Sequence, residues 1–338
     1  MSVFRDLFED IKKDEVGVRS LAENITTDDL PSLLTGMALD RALVKAYREY
    51  PADYEQYVNI ELVRDFRVVD RISEYGGDGA LDLVDQQAPY QYTTLGEDKY
   101  SFAVAKYGRK LGFSFESLTN DDLSALRRIP EKFARAARRT ELKLITSLLC
   151  DASGPNSTLF TSGRGNLGSA VLDVDGLNGA LSAIGEQTDP NGEPFFVSRF
   201  HLIVPPSLEV KARSILEAIE LLYVDEDEVN YRTNNWVKNK VVLHVNPYLS
   251  VINTTNGTTA WYVLPDPADI YCVVLARLRG HEEPEIFMKN PNAIKIGGGQ
   301  DPFNGDFDND SIEYKVRHIC GAALADWRGT YASTGAGA

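Results

Sequence analysis

A glycine-rich run is the first feature of this 338-residue sequence whose spacing could bind a ligand. Residues 163–168 (GRGNLG) match the pattern of loops that hold a dinucleotide pyrophosphate. Such a loop acts only as a turn from a strand into a helix, because the pyrophosphate binds at the helix N-terminus. Here a loop precedes the glycines, and residues 169–176 (SAVLDVDG) are a poor start for a helix. The sequence therefore argues against an NAD-dependent enzyme, and we expect no bound cofactor.

Three aspartates, Asp306, Asp308 and Asp310, have the spacing that opens a calcium-binding EF-hand loop. The sixth position of that loop needs glycine and the twelfth needs a bidentate glutamate. Ser311 and Arg317 stand at those two positions. The pattern is therefore typical of a solvated acidic turn, and we expect no metal site there.

Other catalytic arrangements are not supported by the spacing of the polar residues. The four histidines, His201, His244, His281 and His318, are scattered and form neither an HExxH motif nor a cluster with cysteine. His201 and His244 fall within predicted strands, where structural roles are expected. No GxSxG nucleophile motif occurs. We expect a protein that is not an enzyme.

Composition bounds the possible partners. The chain carries 35 basic and 50 acidic residues, giving a net charge of −15. This charge argues against a general DNA-binding protein, which carries a basic face. Cys150, Cys272 and Cys320 are far apart in apolar settings and predict reduced, buried thiols. No signal peptide or apolar run long enough to span a membrane is present, so we expect an intracellular product of two or more packed regions.

The N-terminal part of the chain predicts an amphipathic arm. Residues 26–50 begin with capping residues and a proline, then repeat leucine and methionine at helical spacing. Tyrosines follow three or four residues apart, at Tyr47, Tyr50, Tyr54 and Tyr57. Two interpretations stay open: the arm packs on its own domain, or it binds a neighbouring chain.

An acidic hairpin is predicted next. Residues 66–69, 100–104 and 111–115 have the alternation and aromatic content of strands. Residues 70–100 contain seven acids and two bases, among the acids Asp78, Asp82 and Asp85. A long hairpin of this kind is marginal alone and needs a partner surface.

A long basic helix is predicted to follow a cap at residues 119–122. Residues 121–143 hold seven bases and four acids, and the arginines among them are Arg127, Arg128, Arg135, Arg138 and Arg139. Pro130 should kink the helix or mark a junction of two helices. The basic helix and the acidic hairpin form a complementary pair in a self-associating chain.

The remaining chain alternates strands and helices, which indicates a mixed α/β domain. We predict a helix near 177–184, a strand at 200–204, and a helix at 208–222 that Ser207 caps. The further predicted strands are 240–245, 261–264, 270–278, 312–318 and a continuation over 321–331.

The order of these features resembles the major head subunits of Mu-like tailed phages. The stretches that carry the resemblance are 107–123 (YGRKLGFSFESLTNDDL), 128–130 (RIP), 136–141 (AARRTE), 159–161 (LFT), 165–167 (GNL), 202–209 (LIVPPSLE), 261–264 (WYVL) and 313–318 (EYKVRH). Together they cover roughly residues 60–330.

The resemblance implies the α+β Hong Kong 97-type capsid fold and self-assembly, as hexamers and pentamers, into an icosahedral shell around double-stranded DNA. It divides the chain into an N-terminal arm (1–59), an extended loop (60–116), a peripheral domain with a spine helix (117–197, rejoined by 288–338) and an axial domain (198–287). The implied location is the virion capsid, assembled in the host cytoplasm. Separate scaffolding, portal and decoration proteins are possible partners, packaged DNA lies close without specific binding, and no membrane is involved.

Two variations of the family are not expected here. Lys99, Lys106 and Lys110 are available for an isopeptide cross-link, but nothing identifies an asparagine partner. No long charged helical prefix suggests a scaffolding segment removed by a protease. The alternative within the fold is an encapsulin-like nanocompartment shell, and a tail or decoration protein is disfavoured by the basic helix. The interface candidates are the tyrosines, aspartates and arginines Tyr47, Tyr50, Tyr54, Asp78, Asp82, Asp85, Arg127, Arg128, Arg135, Arg138 and Arg139.

Overall fold

The helices and strands below come from a computed structural model. It describes residues 30–75, 96–114, 129–188, 192, 194, 196–218, 220–224, 230–289, 296, 307 and 311–337. The α-helices in these ranges are α1 (Leu30–Glu49), α2 (Ile129–Leu149), α3 (Val174–Gly185), α4 (Glu209–Glu217) and the single turn α5 (Leu249–Ile252). Short 3-10 turns lie at Asp53–Gln56, Ser162–Arg164 and Pro206–Leu208.

The strands of the described chain, in order, are β1 (Asn59–Val63), β2 (Val69–Tyr75), β3 (Gly96–Phe102), β4 (Ala105–Ser114), β5 (Cys150–Asp151), β6 (Gly154–Pro155), β7 (Leu167–Gly168), β8 (Phe200–Val204), β9 (Glu220–Val224), β10 (Asn230–Asn234), β11 (Val241–Val245), β12 (Trp261–Pro265), β13 (Val273–Leu278), β14 (Glu285–Met288), β15 (Ser311–Leu324) and β16 (Tyr331–Ser333).

The chain divides into two compact units. Unit 1 comprises residues 1–51, 106–138 and 281–319, and unit 2 comprises residues 52–105, 139–280 and 320–338. The five-part division predicted above concerns roles in a shell and stays a prediction.

The core of unit 1 lies between helices and an antiparallel sheet. Strand β15 pairs with β14 on one side and with β4 on the other. Leu43 and Tyr47 of α1 are buried against Ile129 and Phe133 of α2, and Tyr314 of β15 completes the cluster. The arm helix is thus packed on its own chain, which is the first of the two interpretations left open by the sequence.

A five-stranded sheet, in the order β11-β8-β12-β16-β7, is the centre of unit 2. Strands β8 and β12 are buried on both faces along their whole length, which explains their continuous apolar sequences FHLIV and WYVLP. One face packs against α3 and α4 through Leu177 and Ile215. The other face packs against Ile145 of α2 and Tyr57, which follows the first 3-10 turn.

A second sheet and two hairpins complete unit 2. Strand β1 pairs in parallel with β13, which pairs antiparallel with residues 320–324 of β15. Strands β2 and β3 form an antiparallel hairpin base from the pair Val69–Phe102 to the pair Tyr75–Gly96. Strands β9 and β10 pair likewise.

The sequence placed several elements correctly. Helix α1, helix α3, and strands β8, β11 and β12 lie where the pattern predicted them. Pro130 lies in the first turn of α2 as the structure describes it, where its missing amide proton costs nothing. Residues 115–128, which precede this turn, lie outside the described residues.

Other boundaries were wrong. The helix predicted at 208–222 ends at Glu217, because Ala218 adopts φ −54° and ψ 139°, and residues 220–224 form β9 instead. Ser207 does not cap this helix; its hydroxyl donates to the Thr258 carbonyl at 2.5 Å.

Three predicted strands also have different limits. Residues 66 and 67 lie in a bend, Val68 is irregular, and β2 starts only at Val69. The strand predicted from residue 270 begins at Val273. The two stretches predicted at 312–318 and 321–331 are a single strand, β15, to Leu324, followed by the separate β16.

Candidate functional site

The exposed face of α2 carries a basic stripe. Lys132, Arg135, Arg139 and Lys143 are exposed and lie three or four residues apart, so the helical repeat places them on one side. Arg135 lies 4.0 Å from Glu131. Within the described residues, the other three have no ion-pair partner. The stripe is therefore a cluster of positive charge, free to bind, in a chain of net charge −15.

Arg138 does not belong to the stripe, although it was predicted as an interface residue. Its side chain is buried, with Cζ 3.7 Å from the centre of the Tyr47 ring, and its Nε donates to the Tyr47 carbonyl at 3.0 Å. Tyr47 is equally buried. This pair fixes α1 to α2 within unit 1, so neither side chain presents a surface to a neighbouring chain.

Tyr54, another interface candidate, is also buried inside its own unit. Its hydroxyl donates to Glu141, which is completely buried. Arg277 donates to Glu141 at 3.1 Å and to Glu55 at 2.8 Å. Tyr50, the remaining tyrosine of the prediction, is half-buried.

The remaining interface candidates have different positions. Arg135 and Arg139 are exposed members of the basic stripe. The others, Asp78, Asp82, Asp85, Arg127 and Arg128, lie outside the described residues.

The base of the predicted acidic hairpin is held by charged and aromatic contacts. Glu61 of β1 accepts from Arg71 at 2.9 Å and from the Tyr100 hydroxyl at 3.0 Å. Burial, together with this bond to Glu61, raises the pKa of Tyr100 to about 12. On the opposite face Asp70 accepts from Lys99 at 2.7 Å. Strands β2 and β3 are thus fixed to β1 within unit 2.

Apolar side chains around this base are unusually exposed. Ile60 and Leu62 alternate along β1, Phe66 and Val68 lie in the connection between β1 and β2, and Ile72 lies on β2; all five are exposed. We call these five residues the apolar base. Large apolar side chains exposed together on neighbouring elements are a candidate interaction surface. Sequence reasoning missed it, because nothing local shows whether an alternating strand turns its apolar side to a core or outward.

The glycine-rich run does not form a phosphate loop. Residues 163–168 pass from a 3-10 turn into β7, and the next helix begins only at Val174. Asn166 is buried, where it donates to the Leu159 carbonyl at 3.0 Å and to Thr330 at 3.2 Å. The run thus joins the turn to the central sheet.

Metal-binding clusters and membrane-spanning helices were sought in the part of the chain that the structure describes. Within it, no three His, Cys, Asp or Glu side chains converge to hold a metal ion. Asp306, Asp308 and Asp310 lie outside it. No helix in the same ranges has the length and apolar character needed to cross a membrane.

Structural comparison first gives the class of protein. The chain resembles the capsid of Ralstonia phage GP4 with a TM-score of 0.53 at 11% sequence identity, over 83% of this chain and 90% of that one. This likeness shows a mixed α+β fold of the Hong Kong 97 capsid type. Two other similar structures are the capsid of a native GTA particle (TM-score 0.48, 13% identity, 83% and 89% covered) and a virus-like particle from Pyrococcus furiosus (0.47, 10%, 88% and 99%).

Sequence comparison then gives the family. The family model described as phage capsid protein matches residues 97–333, more than half of the chain. The chain therefore belongs to the phage capsid protein family. Comparison with curated proteins gave no match. The protein is therefore a structural protein of the phage capsid and not an enzyme.

Proposed function

We propose that copies of this chain meet in the shell through the acidic loop of one copy, residues 76–95, and the basic stripe of the next. The observation that carries this is the stripe itself, in which three exposed cations have no partner among the described residues. Residues 76–95 contain three acids and no bases. Opposite charges of this kind fix orientation and register more than affinity.

The apolar base supplies the contact area that the charges do not. Exposed ion pairs contribute only about 0.2–1 kcal/mol each, whereas burial of apolar surface gives roughly 25 cal/mol per Å². The apolar base includes residues of β1 and β2, and β2 leads along the chain into residues 76–95. A neighbouring copy that binds the loop would therefore also cover the apolar base.

Many weak contacts of this kind hold a closed shell. One contact of about 4 kcal/mol corresponds to a millimolar dissociation constant, which does not hold two subunits together. In a closed lattice each subunit makes several such contacts at high effective concentration. Assembly is then cooperative, while the free subunit stays soluble.

The finer assignments of the resemblance belong to the same proposal. We infer a member of the Mu-like branch whose hexamers and pentamers enclose double-stranded DNA, with residues 198–287 around the symmetry axes and α2 as the spine helix. The ordered landmarks from residue 107 to residue 318 support this. Scaffolding, portal and decoration proteins would be separate chains.

Reversal of charge on the stripe tests the proposal. We expect the double variant Arg139→Glu/Lys143→Glu to give a folded, soluble subunit that forms no closed shells in electron micrographs. The control, Lys211→Glu/Lys238→Glu, makes the same charge change at two exposed positions away from the stripe and should assemble normally.

A compensating change makes the test specific. Asp82→Lys/Asp85→Lys, added to the stripe variant, should restore closed shells, because the loop and the helix again carry opposite charges. Closed shells formed by the stripe variant alone would contradict the pairing.

A further inference from the structure

The outer side of the unit 1 sheet carries cations on neighbouring strands. Along β15 the burial alternates, with Tyr314 and Val316 in the core of unit 1 and Lys315 exposed between them. Arg317, two residues beyond Lys315, lies on the same outer side. Phe287 of β14 pairs with Lys315 in the register of the sheet and is exposed beside it.

Strand β4 brings a further cation to this side of the sheet. A Cβ at Gly108 would lie 3.9 Å from the Cα of Arg317, and a Cβ at Gly112 would lie 4.0 Å from the side chain of Glu313. Strands β4 and β15 therefore run in opposite directions at this point. Lys110 lies midway between the two glycines, on the same side of β4, and is exposed.

The acids on the outer side already have partners. Glu285 accepts from Arg317 at 3.1 Å and also contacts His281. Glu313 lies 3.9 Å from Lys289. Burial alone would raise the pKa of Glu285, but its bonds to His281 and Arg317 hold that pKa below its usual value. The Glu285 carboxylate therefore stays charged and keeps Arg317 occupied.

Three lysines remain, Lys106, Lys110 and Lys315, and we call them the basic sheet face. The two-residue repeat of β4 puts Lys106 on the same side as Lys110, and Lys110 comes beside Lys315. All three are exposed and form no ion pair within the described ranges. The Lys315 Nζ lies 5.0 Å from the centre of the Phe287 ring, a contact that leaves its charge in place. Like charges on adjacent strands repel, so a bound anion would stabilise this face.

We propose that the basic sheet face binds the phosphates of double-stranded DNA and lines the interior of the shell. This inference rests on the proposed function, in which the shell encloses DNA. Lysine neutralises phosphate as a point charge, so the contact needs neither a groove nor a particular base sequence. A duplex carries one charge per about 1.7 Å of its axis, so phosphates reach these lysines in many orientations.

An open surface of lysines fits DNA better than it fits another protein. The centres of protein interfaces are depleted in lysine and rich in apolar and aromatic side chains. The basic sheet face offers mainly ammonium groups, with the single ring of Phe287 beside them.

The net charge of −15 does not prevent this contact. At physiological ionic strength, interactions between exposed charges are largely screened beyond about 8 Å. The phosphates therefore respond to the nearby lysines more than to distant acids. One copy binds DNA weakly and without sequence preference, and many copies in a shell act together on the same DNA.

Fluorescence anisotropy of a short labelled duplex, titrated with the unassembled full-length subunit at about 50 mM salt, tests the proposal. Lys110→Gln/Lys315→Gln should raise the dissociation constant at least about tenfold, since two phosphate contacts are lost. The plot of log affinity against log salt should become shallower by about 2. The control, Lys211→Gln/Lys238→Gln, removes two exposed lysines of unit 2 and should change neither quantity.

Electron microscopy separates this proposal from the pairing of subunits. The Lys110→Gln/Lys315→Gln variant keeps the basic stripe and the acidic loop, so it should still form closed shells. If this variant alone forms no shells, the face is a contact between subunits and the DNA assignment is wrong. If the unmodified chain forms no shells either, the proposed function fails, and the anisotropy still decides whether the face binds DNA.

Three results of the titration would overturn the proposal. The first is no binding of the duplex by the unmodified subunit, and the second is an equal loss of affinity in the control. The third is displacement of the duplex by polyglutamate at the same concentration of charge, which would assign the face to an acidic protein segment instead.

Discussion

At the scale of residues, the buried ionic group around Glu141 is a main constraint on unit 2. Glu141 is fully buried and receives hydrogen bonds from both Tyr54 and Arg277. Arg277 also reaches Glu55, so one guanidinium joins the 3-10 turn, α2 and β13. Such a group is costly to break, because the remaining charge stays in a site without water.

Arg277→Met should therefore lower the free energy of unfolding by about 3–5 kcal/mol, even though Tyr54 still donates to Glu141. Urea unfolding of the unassembled subunit measures this. The matched control is Arg213→Met on α4, which removes an exposed arginine paired with Glu209 and Glu217 and should cost less than about 1 kcal/mol. An equal decrease in the free energy of unfolding in both variants would show that the buried ion pair stabilises the subunit no more than an exposed one.

Neither polar cluster of unit 2 could be predicted from the sequence. Glu141 and Arg277 are 136 residues apart, and the hydrogen-bonded histidines His201 and His244 are 43 apart. Each residue obeys only a local pattern, helical for Glu141 and strand-like for the histidines. The patterns correctly placed His201 and His244 on strands. Their pairing depends on strand order, which local spacing does not contain.

At the scale of elements, the pairing of β4 with β15 depends on a glycine. A Cβ at Gly108 would lie 2.6 Å from the carbonyl oxygen of Val316, which is backbone and part of the sheet. Gly112, four residues along the same strand, has only the Glu313 side chain near, at 4.0 Å. The two positions share a strand and differ in the space beside them.

Gly108→Ala should destabilise unit 1 by about 1–3 kcal/mol, since β4 must move away from β15. Gly112→Ala should be neutral or slightly stabilising, because alanine restricts the unfolded chain more than glycine does. Thermal unfolding of the two variants side by side measures the difference. The same melting temperature for both would mean that the strands separate at Gly108 without cost.

Elements with a strong repeat or cap were predictable, and those decided by tertiary pairing were not. The apolar spacing of α3 and the continuous apolar runs of β8 and β12 gave their positions. Residues 220–224 fit a helix equally well by spacing, and only pairing with β10 makes them a strand. The spacing of the tyrosines predicted the arm. It did not decide whether these side chains are buried in their own chain or bind a neighbouring one.

At the scale of the whole molecule, the paired strands β2 and β3 allow the folding of the subunit to be tested separately from its assembly. Strands β2 and β3 are paired up to Tyr75 and Gly96, so residues 76–95 can be replaced without disturbing the register of these two strands. An Asn-Gly pair makes the tight turn that such a hairpin needs.

Replacing residues 76–95 by Asn-Gly should give a soluble subunit of nearly unchanged stability that closes no shells in electron micrographs. The control, Asp78→Asn/Asp82→Asn/Asp85→Asn, keeps the length of the loop and removes its charge. It should still form shells, with less dependence on salt, if reach matters as well as charge. Intact shells from the shortened chain would refute the role of the loop.

The central sheet of unit 2 can be completed only after strand β16, near the end of the chain, has been synthesised. It lies inside the sheet, between β12 and β7, and Ala332 and Ser333 are completely buried there. A ribosome that has reached only residue 330 has made four of these strands without the one that joins β7 to the rest. The nascent chain therefore cannot offer a finished building block to the growing particle until Ser333 has been translated and has left the exit tunnel. Fragments produced by premature termination before that point would be excluded from the lattice, because they lack the strand that joins β7 to the sheet.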